Sequence, residues 1–153
     1  MKNAFSMIEL VFVIVILGIL AAVAVPKFSA TRLDAQITKG RTDVASIRSA
    51  IVSERQSRLI KGDSSWINKL YSSDTSYFDS NGTSANSLLM YAVTPKDDNG
   101  YWHSATVTDA TANKNVSTYK YKIEDTDILF TYKQEDGTFD CDHSNSYCVL
   151  LTQ

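Results

Sequence analysis

The hydrophobic pattern of the chain changes after Pro26, and each side of that residue predicts a different helical surface. From Leu10 to Val25, sixteen consecutive residues carry neither a charge nor a strongly polar side chain. Such a run predicts a helix that is apolar on every face. Beyond Pro26 the apolar positions fall on one helical stripe, which consists of Leu33, Ile37, Val44, Ile47 and Ile51. The sequence therefore predicts one long helix, stopped by Gly62-Asp63-Ser64-Ser65.

Three residues are predicted weak points in this helix. Pro26 removes a backbone hydrogen bond and tends to kink a helix, and Gly18 and Gly40 lower helical propensity. The apolar stripe is predicted to pack on the rest of the chain. The basic flank beside it is predicted to face water or neighbouring copies, and it consists of Arg32, Arg41, Arg48, Arg55 and Arg58.

The second half of the chain has the two-residue period of strands. A polar region from Asp63 to Asn86 comes first, with a short helix or turn predicted at Trp66–Tyr71 and a loop after it. The candidate strands are Leu88–Val93, His103–Thr108, Thr118–Ile123, Ile128–Lys133 and Tyr147–Leu151. Glu124–Asp127 is predicted to form the hairpin turn between two of them. The predicted fold class is α+β, a long N-terminal helix packed on a C-terminal antiparallel sheet.

The 153 residues have a net charge of only −2, but the charges are unevenly distributed along the chain. Lys27–Gly62 carries eight basic and three acidic residues, whereas Asp63–Gln153 has a net charge of −7. An acidic head argues against nucleic-acid binding, which needs positive charge, so we predict no nucleic-acid partner. His103 and His143 have no recognisable nucleophile nearby in sequence, and no phosphate-binding glycine loop occurs. We therefore expect a structural protein and not an enzyme, with no catalytic residues.

The apolar run admits three interpretations. As a helix, Leu10–Val25 spans ~24 Å, slightly less than a hydrocarbon core of ~30 Å. It can be a secretory signal peptide, with Ala22-Val23-Ala24 as the cleavage site, or a plain membrane anchor. Against the signal peptide, Glu9 cancels the charge of Lys2 just before the apolar core.

The third interpretation is a resemblance over about the first 30 residues. The segment Met1-Lys-Asn-Ala-Phe-Ser-Met-Ile-Glu-Leu10, followed by an apolar run that ends in Val25-Pro26-Lys27, resembles the leader and cleavage signal of type IV prepilins. The resemblance implies cleavage between Ala4 and Phe5 and N-methylation of Phe5. The family usually has Gly before the cut, and Ala4 is also small. The resemblance also implies that Glu9, at the fifth position of the mature chain, takes part in subunit assembly.

The same resemblance implies a domain organisation. Residues 1–4 would be the prepilin leader, 5–26 the transmembrane and filament-core helix, 27–62 the amphipathic helix, and 63–153 the globular head. We therefore expect a structural subunit of a type IV pilus-like filament, either a pilin or a pseudopilin of a type II secretion or competence system.

The expected partners are other copies or related subunits in a helical filament, a prepilin peptidase, and an assembly platform with its ATPase. The expected location is the inner membrane, single-pass with the head outside the cytoplasm, and then a periplasmic or extracellular filament. The alternative is a secreted binding module, released by signal peptidase after Ala24.

Three features of the head are candidates for a covalent bond, a metal site or a modification. In an exported protein, Cys141 and Cys148 are predicted to form a disulfide that joins the last strand to the preceding loop. A metal site of Cys141, His143 and Cys148 is the weaker alternative. We also predict a solvated acidic loop, for which calcium binding is the alternative role. The acids of this loop are Glu135, Asp136, Asp140 and Asp142. We expect no cofactor otherwise. Asn81 begins an N-x-T sequon, for which an Asn-Gly turn is favoured over glycosylation.

Overall fold

The computed structural model describes residues 6–73, 76–80, 87–108 and 116–153. Its elements follow one another along the chain as α1 (Met7–Ile60), β1 (Tyr71–Ser73), β2 (Ser76–Tyr77), β3 (Trp102–Thr108), β4 (Val116–Ile123), β5 (Thr126–Lys133), β6 (Thr138–Cys141) and α2 (Ser146–Thr152). The chain divides into two compact units, Met1–Asp34 and Ala35–Gln153, and α1 contributes to both. The predicted α+β class is confirmed.

Helix α1 ends where the sequence predicts, and it continues through Pro26. At its C-terminus, Gly62 adopts a positive φ of 83°, a conformation that glycine accepts without a steric penalty. The amide of Gly62 donates to the carbonyl of Leu59 at 3.0 Å, and the amide of Asp63 donates to that of Arg58 at 2.9 Å. These two bonds form a Schellman motif, which satisfies carbonyls that the helix itself leaves unpaired.

Within the second unit, the predicted stripe of α1 is buried from Val44 to Ile51, and Ile37 is half-buried. Val44, Ile47 and Ile51 are each at most 1% exposed. Gly40 is buried one turn before them, and a Cβ atom built on it would lie 2.6 Å from both Tyr121 Cε1 and Leu151 Cδ2. Helix α1 continues through Gly40, and the missing side chain there lets β4 and α2 approach the helix, a packing role that the sequence did not predict.

Strands β3 to β6 form one antiparallel sheet in the order β3-β4-β5-β6. The β4–β5 hairpin has the predicted turn, where Glu124 and Asp125 have φ values of 46° and 61°. Two successive positive φ values are typical of a type I′ turn, which matches the twist of the strands. Buried side chains alternate with half-buried ones along β4, so one face of the sheet meets the core.

An aromatic cluster fills that core. Trp102 is fully buried, and its ring centroid lies 5.1 Å from that of Tyr121 and 5.2 Å from those of Phe78 and Phe130. Two tyrosine hydroxyls reach backbone carbonyls across the core. Tyr121 donates to Gln36 of α1, and Tyr132 donates to Ile67, each at 2.7 Å. The second part of α1 is thus fixed to the sheet by apolar packing and by a hydrogen bond.

Two of the predicted strands are wrong. Tyr147–Leu151 is not a strand, because Asn145 caps a helix there: its side-chain oxygen accepts from the amide of Tyr147 at 2.9 Å. Leu88–Val93 is not a strand either. Of these residues only Val93 pairs, in an isolated antiparallel bridge with Tyr77.

Two smaller corrections concern the remainder of the head. Trp66–Tyr71 contains no helix; Ile67 and Leu70 are fully buried, and Tyr71 begins β1. Strand β6 was not predicted, and it places Phe139 in the core at 2% exposure. Acids on both sides of this short segment hide its alternation in the sequence.

Candidate functional site

The first candidate site is the apolar surface of α1 in the first unit. Every Leu, Ile, Val, Met and Phe side chain from Met7 to Val25 is exposed, over a range from 42% at Ile16 to 83% at Met7. Single exposed apolar residues are ordinary, whereas a contiguous patch of this kind marks an interaction surface. The helix is long and apolar enough to cross a membrane, and a signal sequence near an N-terminus has the same property.

Glu9 lies in the first turn of α1 and is exposed between the apolar side chains of Ile8 and Leu10. Its position suits the helix macrodipole, since an anion in the first turn is stabilised by the unpaired amides there. In residues 6–153, outside the gaps named above, no cation lies within salt-bridge distance of Glu9. The predicted cleavage and methylation residues, Ala4 and Phe5, fall outside the described residues.

The second candidate site is the C-terminal region of the head. The predicted disulfide is confirmed: Cys141 and Cys148 are bonded, with their Cα atoms 5.9 Å apart. Cys148 is fully buried and belongs to α2, so the bond joins the last strand to a helix and not a loop to a strand. It therefore holds the C-terminal helix against the edge of the sheet.

Polar side chains from α1 and the C-terminal region converge beside this bond. Arg48 Nη2 donates to Asp140 Oδ1 at 2.9 Å, and Arg48 Nε donates to the carbonyl of Phe139 at 2.9 Å. His143 Nε2 lies 3.1 Å from the same Oδ1 atom. Burial alone would raise the pKa of Asp140, but hydrogen bonds from His143 and from the Cys141 amide, with the charge of Arg48, lower it overall. Asp140 is thus held as a carboxylate.

Arg41 makes a similar contact about two helical turns before Arg48. Its Nε and Nη2 atoms donate to the carbonyl of Leu150 at 3.1 and 2.9 Å, near the C-terminus of α2, where carbonyls lack helical partners. Arg41 is nevertheless exposed and Arg48 half-buried, so both still face water in part, as predicted, and the contacts with the C-terminal region are an addition to that prediction. Their partners lie about a hundred residues away in sequence, so the local charge pattern contained no signal for them.

In the predicted acidic loop, for which calcium was the alternative role, two acids accept hydrogen bonds from nearby backbone amides. Asp136 Oδ1 accepts from the amide of Thr138 and Asp142 Oδ1 from the amide of Ser144, each at 2.9 Å. Hydrogen bonds from the side chain and amide of Thr138 lower the pKa of Asp136, and those from the amide and side chain of Ser144 lower the pKa of Asp142. Asp140 pairs with Arg48, a cation that competes with a metal ion. A solvated acidic loop remains our prediction, and nothing in this geometry favours calcium. Asn81 of the sequon lies outside the described residues.

A second charged cluster was missed in the sequence. His103 Nε2 donates to Asp127 Oδ1 at 2.7 Å, and Lys120 Nζ lies 3.2 Å from Asp127 Oδ2. Lys122 Nζ donates to Asp97 Oδ1 at 2.7 Å. The contacts connect β3, β4 and β5 across the surface of the sheet. Because the described contacts of His103 are to carboxylates, we interpret this cluster as surface ion pairing.

Comparison with known proteins gives no relative: no family model, curated protein or solved structure matches the chain. What stands is the architecture, an apolar N-terminal helix whose second part packs on a four-stranded antiparallel sheet. That architecture is pilin-like.

Proposed function

We propose that the chain is a structural subunit of a type IV pilus-like filament, either a pilin or a pseudopilin of a type II secretion or competence system. One observation carries the proposal. A single helix, α1, presents an exposed apolar surface from Met7 to Val25 and then packs a buried stripe against its own sheet. The apolar surface of the first segment must be covered by lipid or by another protein, whereas the buried stripe of the second segment is already covered by the chain's own sheet.

The energetics identify what that partner must be. Burying one large aliphatic or aromatic side chain contributes roughly 1.5–3 kcal/mol, so the exposed side chains of Met7–Val25 together favour removal from water by tens of kcal/mol. Lipid meets this requirement before assembly. Sister helices meet it in a filament, but moving from lipid to a helix bundle gains little hydrophobic energy. A specific polar contact must therefore direct the transfer.

Glu9 supplies that contact in our proposal. Cleavage before Phe5 would create a positively charged amino terminus at the edge of the apolar surface. A carboxylate and an ammonium group that are each unpaired in an apolar bundle are strongly unfavourable, whereas the pair is tolerated. Neighbouring subunits would therefore be staggered so that Glu9 of one copy meets the Phe5 nitrogen of the next.

The proposed partners follow from this assembly. A prepilin peptidase would cut before Phe5 and methylate its nitrogen, and an assembly platform with an ATPase would extract the subunit from the inner membrane. The head would lie outside the cytoplasm throughout, and the filament would be periplasmic or extracellular. The role is mechanical, without catalysis. The rival is a secreted binding module, freed by cleavage after Ala24.

Replacement of Glu9 tests the proposal in cells that contain the assembly machinery. We expect Glu9→Ala and Glu9→Gln to leave the chain in the membrane fraction but to lower the yield of sheared filaments at least about tenfold, since a buried charge loses its partner. Asp34→Asn, which changes an exposed carboxylate farther along α1, is the matched control and keeps the wild-type yield. Filaments at wild-type yield from both Glu9 variants would contradict the proposal.

A further inference from the structure

The segment just before β3 contains an Asn-Gly pair, Asn99-Gly100. Asparagine followed by glycine is especially prone to deamidation, because no side chain hinders the attack of the glycine nitrogen on the preceding carboxamide. In the folded head that nitrogen is engaged: the amide of Gly100 donates to the carbonyl of Lys122 in β4 at 2.8 Å. The reaction needs this amide to lose its proton, so the hydrogen bond opposes it.

The half-buried carboxamide of Asn99 is held at both of its polar atoms. Its oxygen accepts from the amide of Asp125 at 2.8 Å, and its nitrogen donates to Asp125 Oδ1 at 3.3 Å. Asp125 lies in the β4–β5 turn, so the two bonds join the segment before β3 to the tip of the hairpin. They also oppose the rotation that would bring the side-chain carbon to the Gly100 nitrogen.

The fold itself requires a glycine after Asn99. Gly100 is buried with a φ of 82°, a conformation that glycine adopts without a steric penalty. A Cβ atom built on it would lie 3.3 Å from Gln36 Cγ of α1, and its carbonyl accepts from Lys39 Nζ at 2.6 Å. The reactive pair is therefore part of the joint between α1, the segment before β3 and the hairpin.

We propose that Asn99 is a latent deamidation site, which the folded head keeps closed and which reacts when the segment before β3 opens locally. The Gly100 nitrogen forms a bond to the side-chain carbon of Asn99, and the carboxamide nitrogen leaves as ammonia with the proton that Gly100 loses. One water molecule then opens the five-membered imide to an aspartate or an isoaspartate. The reaction needs no other co-reactant, and the inference does not depend on filament assembly.

The product would oppose closure of the segment. A carboxylate at position 99 replaces the NH₂ group that donates to Asp125, so Asp125 loses a donor and faces a like charge at short range. The joint would then be held less firmly. Because the lost ammonia does not return, the deamidated fraction would report how often the segment has opened.

Peptide mapping by mass spectrometry measures the reaction in the full chain in detergent, incubated in mildly alkaline buffer either folded or unfolded in guanidinium chloride. Asn81-Gly82 is the internal reference, and in the unfolded chain both pairs should deamidate at similar rates. We expect folding to slow the reaction at Asn99 at least about tenfold, since several hydrogen bonds that each contribute a factor of a few must break first. Equal rates at Asn99 in the folded and unfolded chains would overturn the proposal.

Two glycine variants of one turn test the role of Asp125. Asp125→Gly removes the carboxylate and suits the φ of 61°, so deamidation of Asn99 in the folded chain should become about three- to tenfold faster, the effect of one hydrogen bond. Glu124→Gly is the matched control, because the Glu124 side chain accepts from the hydroxyl of Tyr147 at 2.6 Å instead, and it should keep the wild-type rate. An unchanged rate in Asp125→Gly would contradict the proposal.

The effect of the product is tested without waiting for the reaction. Asn99→Asp should lower the thermal midpoint of the head. Adding Asp125→Asn should restore most of the loss, because the pair then has a donor and an acceptor again with their roles exchanged. A wild-type midpoint in Asn99→Asp, or no recovery in the double variant, would contradict the proposed opposition between the product and Asp125.

Discussion

The two parts of helix α1 differ in what covers them. From Met7 to Val25 the helix is apolar on all sides and every large apolar side chain is exposed. From Ala35 onward it has one apolar stripe, and that stripe is buried against the sheet of the same chain. The same secondary structure therefore has two sources of stability. The second part is stabilised by tertiary packing, whereas the first is covered by lipid or other copies in our proposal.

The largest expected effect comes from removing a buried side chain on the stripe. Ile47 is fully buried, so Ile47→Ala should lower the free energy of unfolding of the head by about 2–5 kcal/mol. Ile14, on the other part of the helix, is 57% exposed, and Ile14→Ala should leave head unfolding unchanged. Denaturant unfolding of the full chain in detergent, followed by the fluorescence of Trp66 and Trp102, measures both. Equal losses of unfolding free energy in the two variants would contradict the distinction between a packed and an unpacked part of α1.

A smaller effect should follow from adding one methyl group at each helical glycine. At Gly40 a new Cβ would collide with the ring of Tyr121, and overpacking of this kind destabilises by about 1–3 kcal/mol. Greater helical propensity offsets about 1 kcal/mol of that loss. Gly18 has no atom within 4 Å of such a Cβ, so Gly18→Ala should be tolerated. We expect a lower thermal midpoint for Gly40→Ala than for Gly18→Ala, and equal midpoints of the two variants would show that the helix and β4 are not in close contact.

The smallest predicted effect concerns the carboxylate of Asp43, which precedes the buried Val44 in α1. Burial raises the pKa of Asp43 above its ordinary value of 3.8, although the hydrogen bond from Trp102 Nε1 and the charge of Lys39 oppose the shift. The raised pKa means that the folded state binds this proton more tightly than the unfolded state does. The stabilising contribution of protonation is therefore present at low pH and is lost as the pH rises through the folded pKa.

Asp43→Asn should accordingly raise stability slightly at neutral pH, because the amide oxygen can still accept from Trp102 without a buried charge. The gain should vanish as the pH falls below 3.8, the unfolded value. Unfolding curves of wild type and variant across this pH range provide the test. A variant less stable than the wild type at neutral pH would contradict this prediction. It would show that the contacts of the ionised Asp43 carboxylate stabilise the fold by more than its burial destabilises it.

Much of the fold was accessible from the sequence because its strongest patterns are long. The α1 stripe and the β4–β5 alternation extend over enough residues for their periods to be read. Short segments failed where a single local contact decides the structure. Tyr147–Leu151 has strand-like composition, and the Asn145 cap makes it a helix.

The candidate sites divide in the same way. Glu9 and the two cysteines stand out in the sequence as an isolated acid and an isolated pair. The convergence of Arg48 and His143 on Asp140 was not predictable, because Arg48 reaches it from 92 residues away. Only the packing of the head on α1 brings them together.

The retention of the apolar segment is tested most directly by the intact mass of the mature chain, purified from the envelope of cells that contain a prepilin peptidase. We predict a chain that begins at Phe5, carries one added methyl group on its terminal nitrogen, and keeps the whole of α1. A mature chain that begins at Val25 would contradict this interpretation, since it would have lost the surface through which the copies are proposed to assemble.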